Sequence, residues 1–451
     1  MSATEPPAVQ PVGARSPGIR PPPVPGSLSQ AAFEQRLRDA VMDAAPMLNA
    51  KLLPVSVRSS ALDRALAAGL PQIRDDLWRY ADLKFLGGAP WAPLPAAQDA
   101  SRWLGAAQAF LPVPLAGFER IVFVNGRHSA ELSSAAAVDS DATALVPERT
   151  RHERFGWLND AFATDVARLQ IAGARQIELV FIATPVDAPQ AQHPRLELAV
   201  QPGSSLLLVE RHLGDAGGNS LINVAVQLHL GRDARCLHLR EQSLSAEAQL
   251  LDTLQAALDA NATYELTQLV LGARSARSSQ RLSLYGAGAT ARVYGVAVSQ
   301  GQRTLDQSLL VDHIARGTTS TQVLRGIARD RARVAWRSRV EVAATAKGAA
   351  SEQSLKGLLA GAGAEVDLRP QLEIHTDEVR ASHGATTGAL DENMRFYLLS
   401  RGLDPDTARG VLEWSFLEDA VSRVTDAGLR QLAEQRLLAT VGSNVAREAL
   451  R

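Results

Sequence analysis

The sequence predicts a mainly β chain with flanking α segments: a parallel β-helix set between an N-terminal and a C-terminal helical domain. Three observations predict it. The turn residues Gly203, Gly231, Asn261, Gly288 and Gly317 recur at separations of 28, 30, 27 and 29 residues, each ahead of a short alternating strand. A repeat of that length fits one rung of a solenoid, whose units bury their apolar faces only by stacking on neighbours. Few of these turns have two-residue hairpin chemistry, and a single run of about 200 residues would be large for a sandwich. Helical periodicity is concentrated towards the two ends of the chain.

Residues 1–27 hold eight of the 23 prolines and no apolar h-region, which predicts a disordered, partly polyproline-II tail and no secretory signal. Residues 28–118 predict a small helical domain and a connector. Ser29 is placed to cap a helix carrying Phe33, Leu37 and Val41 on one face, and a second helix around Leu62, Ala65 and Leu66 stops at Gly69 with Pro71 beyond. Residues 87–118 carry five prolines and little periodicity, as an irregular connector would. The β-helix is expected over 119–388, with strands such as 120–124, 177–182 and 196–200, the turn Asn125-Gly126, and a helical interlude from Phe155 to Leu169. Strand texture runs to about Val379. Residues 389–451 return to helices: Asp391 to Arg401 stopped by Gly402, a helix capped by Asp404 with Pro405 at its first turn and running to about Val424, and a last one over 427–441.

The composition narrows the chemistry. Of 451 residues 46% are hydrophobic, and 47 Lys and Arg nearly balance 48 Asp and Glu, so a net charge of −1 offers no overall field for nucleic acid or an acidic membrane. No run approaches the roughly 18 apolar residues of a membrane span, and a soluble cytoplasmic protein is expected. The one cysteine, Cys236, cannot form an internal disulfide, a zinc ribbon or a self-sufficient iron-sulfur site. Any such metal chemistry needs ligands from another chain.

Motifs for catalysis are sparse. Gly286-Ala287-Gly288 and Gly361-Ala362-Gly363 do not continue into a phosphate loop and read as turns, and no Gly-x-Ser-x-Gly elbow occurs. Cys236 and His238 share one face of an alternating strand opposite Leu237 and Leu239, which reads as a small side chain beside a surface histidine. Glu373, His375 and Asp377 likewise share a face, the pattern of a half-exposed strand, with metal ligation the less favoured reading. His383 lies in Ser382-His383-Gly384-Ala385-Thr386, where strand texture gives way to helical texture; a neutral imidazole there could ligate iron or zinc, although a loop histidine is the simpler reading. On the helix after Asp404, Ala408, Val411, Leu412 and Phe416 fall on one arc and Trp414, Leu417, Ala420, Val421 and Val424 on a nearly opposite one. Such a helix is either buried all round or docks one arc on its own domain and the other on a partner.

Several segments resemble the SufD family of the SUF iron-sulfur cluster assembly system. They are Gly69-Leu70-Pro71 through Trp78-Arg79-Tyr80-Ala81-Asp82-Leu83, Val124-Asn125-Gly126-Arg127, Val200-Gln201-Pro202-Gly203, Val311-Asp312-His313, Arg369-Pro370-Gln371-Leu372-Glu373-Ile374, Ser382-His383-Gly384-Ala385-Thr386 and Phe396-Tyr397-Leu398-Leu399-Ser400-Arg401-Gly402. The resemblance spans about 60–425. It implies a right-handed parallel β-helix and a non-catalytic scaffold subunit that pairs with the paralogue SufB through the β-helix and binds the ABC-type ATPase SufC through its C-terminal helices. In isolation a homodimer is the alternative pairing. The resemblance also implies that His383 contributes to a nascent cluster shared with SufB, that no cofactor is bound by this chain alone, and that the two-faced helix, with Ala408, Val411, Leu412, Trp414, Phe416, Leu417, Ala420 and Val421, is the ATPase docking element. Two departures stand out: Ala381 occupies a position where family members often carry cysteine, and His375 one where tyrosine is common.

Two other identities compete. A SufB-type paralogue is the nearer one, and the lone cysteine in a solenoid strand argues for the D-type subunit. A β-helix polysaccharide lyase or hydrolase would need carboxylates and aromatic platforms in a groove, and aromatics are only 5% of this chain.

Overall fold

The computed structural model describes residues 29–442 apart from 72–74, 76–77, 79–80, 82–83, 88, 94–99, 144, 146–147, 187–190 and 218–219. The expected proline-rich tail lies outside the described residues, as does the stretch 443–451. From Arg195 onward the strands alternate between two sheets, of ten and nine strands, and each pairs in parallel with the strand one rung away. That is a β-solenoid. In the ten-stranded sheet Leu206, Cys236, Tyr264, Ala291, Ser320, Ser351 and Ala381 stack in one column on the side of the lumen. The next lumen-facing column is Leu208, His238, Leu266, Val293, Gln322, Gln353 and His383. Alternate residues face outward.

The corners explain the period. In successive rungs Gly203, Asp233, Asn261, Gly288, Gly317 and Gly348 donate their backbone N–H to the next rung, to the carbonyls of Arg232, Ala260, Ala287, Arg316, Lys347 and Glu378. All six have left-handed φ, from 57° at Asn261 to 75° at Gly348. Four of the five turn residues singled out in the sequence hold this position, and the second of the six corners uses Asp233 instead of Gly231. Gly231 serves a different need, since a Cβ there would lie 2.9 Å from the Pro202 nitrogen.

The N-terminal helices are Gln30–Ala44, where the Ser29 hydroxyl accepts from Ala32 N, and Val55–Ala68, ended by Gly69 at φ 64°. They pack on the helix Arg154–Phe162 and, through Trp78, on the outer face of the nine-stranded sheet, where Arg277 stands 4.4 Å over the Trp78 ring. The predicted interlude is shorter than expected: Leu169 lies in the strand Ala167–Ile171, in register with Leu198. The connector is not wholly irregular. Ala100–Ala107 is a helix whose Trp103 and Ala107 bury against Val122, Val124, Val180 and Ile182, a tertiary contact that outweighs the weak local signal.

At the other end Glu392–Ser400, Pro405–Val421 and Ala427–Val441 are capped by Asp391, Asp404 and Asp426. The last two cover the outer face of the ten-stranded sheet, where Leu237, Leu239, Leu269, Val296 and Ile327 pack against Leu417, Ala420, Val421, Leu429 and Leu437. Ion pairs from Arg325 to Asp419 and from Arg329 to Glu413 fasten them. Both outer faces of the solenoid are thus partly covered, which is why so many strands are buried on both sides.

Candidate functional site

The solenoid ends on an open rung. The strands Glu365–Ile374 and Val379–Ala389 pair inward with Arg333–Val342 and Ala349–Ala360, and among the described residues no strand continues either sheet. Burial changes abruptly there: Leu355 is fully buried, whereas its register partner Ala385 is exposed. The rung presents free N–H and C=O groups together with lumen-side apolar residues such as Leu368, Leu372 and Ile374, an edge that invites pairing with another chain.

His383 sits on this rung and not, as the sequence texture suggested, in a loop at the β-to-α junction. It is exposed, in register with the buried Gln353, and at the mouth of the lumen. Its neighbours in the column are polar. Gln353 Nε2 donates to the Ser338 carbonyl and hydroxyl, both at 2.9 Å, and Gln322 Nε2 donates to Ser320 Oγ, also at 2.9 Å. Ser320 Oγ lies 2.8 Å from His313 Nε2. Deeper in, Trp336 fills the lumen, and a Cβ on Gly295 would come within 2.7 Å of its ring.

Beyond Trp336 the lumen holds a second polar cluster. Glu210 accepts from Arg240 Nε at 2.8 Å, lies 3.1 Å from His238 Nε2, and also pairs with His212. Burial alone would raise its pKa, but Arg240 and the two imidazoles hold the carboxyl well below its ordinary range. His238 is therefore buried, not the surface histidine that the alternation suggested; its pKa is lowered, chiefly by burial. Cys236 beside it is fully buried, and burial pushes its thiol pKa up, away from thiolate chemistry. Five rungs of about 4.8 Å separate Cys236 from Ala381, so the thiol lies roughly 24 Å from the open end. The exposed rung has an imidazole and no cysteine.

The residues expected to dock a partner divide in two. Ala408, Leu417, Ala420 and Val421 are fully buried within this chain and present nothing outward, a correction that follows from the way the helix Pro405–Val421 is clamped between the sheet and the last helix. Val411, Leu412, Trp414 and Phe416 are half-buried. Sequence reasoning passed over the adjacent helix Glu392–Ser400, which has no buried residue and exposes Met394, Phe396 and Tyr397. Its signal was available: apolar residues at Met394, Phe396, Tyr397, Leu398 and Leu399 cannot all face one core.

The profile of a family described as SUF system FeS cluster assembly, SufBD core domain, matches residues 181–416, which take in the solenoid from its early rungs to the helix Pro405–Val421. The chain belongs to the SufBD family. It is similar to the iron-sulfur cluster assembly protein SufD of Escherichia coli, 28% identical over 411 residues that cover 85% of this chain and 91% of that protein. It is also similar to a SufBD family protein of Synechocystis, at 26% over 83% and 88% of the two chains, and to the chloroplastic protein ABCI7 of Arabidopsis thaliana, at 25% over 54% and 52%. This SufBD-family chain is accordingly a SufD-like iron-sulfur cluster assembly protein, and the polysaccharide-active alternative falls away. Among the described residues no helix is long and apolar enough to cross a membrane.

Proposed function

We propose that this chain is a non-catalytic scaffold subunit whose open rung meets a SufB-like β-helix end to end, with His383 lending one ligand to a cluster assembled at the junction. The observation that carries the reading is the exposed terminal rung with an imidazole at the lumen mouth and no thiol near it. A site with one nitrogen ligand cannot hold an iron-sulfur cluster by itself, so the thiolates come from the partner. The cluster is cargo, assembled and passed on to acceptor proteins.

The ATPase belongs to a third chain, of the SufC-like ABC type, since Gly286–Gly288 and Gly361–Gly363 are solenoid corners and offer no phosphate cradle. Its docking surface is the C-terminal helical face of Met394, Phe396, Tyr397, Val411, Leu412, Trp414 and Phe416, apolar groups that have room to bury against a partner. Co-expression with SufB-like and SufC-like chains from the same genome tests this. A stable three-component complex is expected, and replacing Trp414 and Phe416 by Asp should release the ATPase while leaving the β-helix pair intact. Recovery of only a homodimer of this chain, or full retention of the ATPase by the double variant, would overturn the corresponding part.

A further inference from the structure

We propose that Glu341, Glu373 and His375 form a binding site for one divalent first-row transition-metal cation on the outer face of the nine-stranded sheet, beside the open rung. The backbone places the three groups together. Glu341 and Glu373 are register partners on the parallel strands Arg333–Val342 and Glu365–Ile374, so their side chains leave the same face about 4.8 Å apart. His375 follows two residues later with the same parity, and its N–H, bonded to Val342 O at 2.9 Å, keeps it in register past the strand end. One ligand atom from each of the three lies within 4.8 Å of the others, and His375 Nε2 is 3.2 Å from Glu373 Oε1. Bonds of about 2.0–2.2 Å in a tetrahedral site put ligand atoms roughly 3.3 Å apart. Small rotations of three partly exposed side chains reach that arrangement.

A second feature points to a cation. Two like-charged carboxylates held in register on adjacent strands repel one another unless a positive group lies between them. At present that group is Arg339, which pairs with Glu341 at 3.3 Å and with Glu373. Its guanidinium is an incomplete fit: on a side chain that is one third exposed, Arg339 Nε has no hydrogen-bond partner, and a cation of this type makes no use of the lone pair on His375. Arg339 also lines a cleft of about 340 Å³ with Thr150, His152, Arg281 and Asp312, which gives the displaced side chain somewhere to go. A divalent ion would supply twice the charge and take all three ligands, leaving a fourth position for water or a group from another chain. The imidazole selects Zn²⁺, Co²⁺, Fe²⁺ or Mn²⁺ over Mg²⁺ and Ca²⁺. Asp377, which the sequence pattern aligned with Glu373 and His375, is not in the group; Glu341 from the neighbouring rung takes its place.

The site is independent of the proposed role of His383, and the test is built to keep them apart. In the full-length chain carrying His383→Ala, Co²⁺ is titrated while the visible absorption of bound cobalt is followed, and the melting temperature is read with and without Zn²⁺. Stoichiometric binding and a higher melting temperature are expected, because the ion clamps the last rung to the one before it. His375→Ala and Glu341→Gln should each weaken Co²⁺ by at least about tenfold, whereas Arg339→Gln, which removes the competing cation, should tighten it. All three positions are partly exposed, and circular dichroism checks that the variants fold. Absence of binding in the parent, or His375→Ala and Arg339→Gln both binding as the parent does, would overturn the assignment.

Discussion

Mild acid is expected to loosen the open end of the solenoid through His313. This residue is fully buried in the lumen, and its hydrogen bonds specify one neutral tautomer. Thr318 Oγ1 gives its own proton to the Ala315 carbonyl at 3.0 Å, so at 2.8 Å from His313 Nδ1 it can only accept. Nδ1 therefore carries the proton, and Nε2 lies 2.8 Å from the Ser320 hydroxyl, which also contacts Ser351 Oγ at 3.0 Å and receives Gln322 Nε2. A second proton on the ring would place a net charge in a site without water's dielectric. Burial accordingly lowers the His313 pKa from 6.5 to about 4. The folded pKa lies below the unfolded one, so as pH falls the unfolded chain binds its proton first. Stability is complete above about pH 6.5 and declines until about pH 4; the loss is roughly 2 kcal/mol at pH 5 and roughly 3 at the end of the window. His193, buried beneath the N-terminal helices and also lowered to about 4, adds a second loss of the same size. Urea midpoints at about pH 7.5 and pH 5 measure it: His238 and His152, also lowered by burial, add to the parent's loss, and His313→Gln should lose about 2 kcal/mol less than the parent between the two pH values. An unchanged pH slope in His313→Gln would refute the reasoning, whatever the variant's stability at neutral pH.

Two further expectations concern packing. Gly295→Val should destabilise the solenoid by about 1–3 kcal/mol, because the added carbon meets both Trp336 and Leu324 within 3 Å; a thermal melt matching the parent's would mean that the lumen can widen. Glu413→Ala should strand Arg329 beside a sealed interface, at a cost of roughly 3 kcal/mol, and hydrogen exchange should speed up in Pro405–Val421 before it does in the strands. Uniform acceleration across the chain would show that the helices and the solenoid unfold as one unit.

The solenoid was legible because its corners require left-handed residues once per rung, and glycine and asparagine mark four of them in the sequence. The caps at Ser29, Asp391 and Asp404 and the stop at Gly69 were legible for the same reason, since each is a local hydrogen-bond or φ requirement. What escaped was which side of a strand faces in. Leu237 and Leu239 look like a core face, yet they point outward beneath the C-terminal helices, while Cys236, His238 and Arg240 point into the lumen. Alternation assigns two faces but cannot say which is covered by a distant segment, and here both are. His383 was legible as a residue from its motif; its place on the terminal rung depends on register with Gln353, a contact 30 residues away.

The most direct measurement of the central claim is cluster loading at the open end. The complex with its SufB-like and SufC-like partners is purified without oxygen from cells carrying either the parent or His383→Ala, and iron, sulfide and visible absorbance are quantified per complex. The account predicts that His383→Ala assembles the same complex with most of its iron-sulfur absorbance gone. Unchanged cluster content in an intact complex would contradict it.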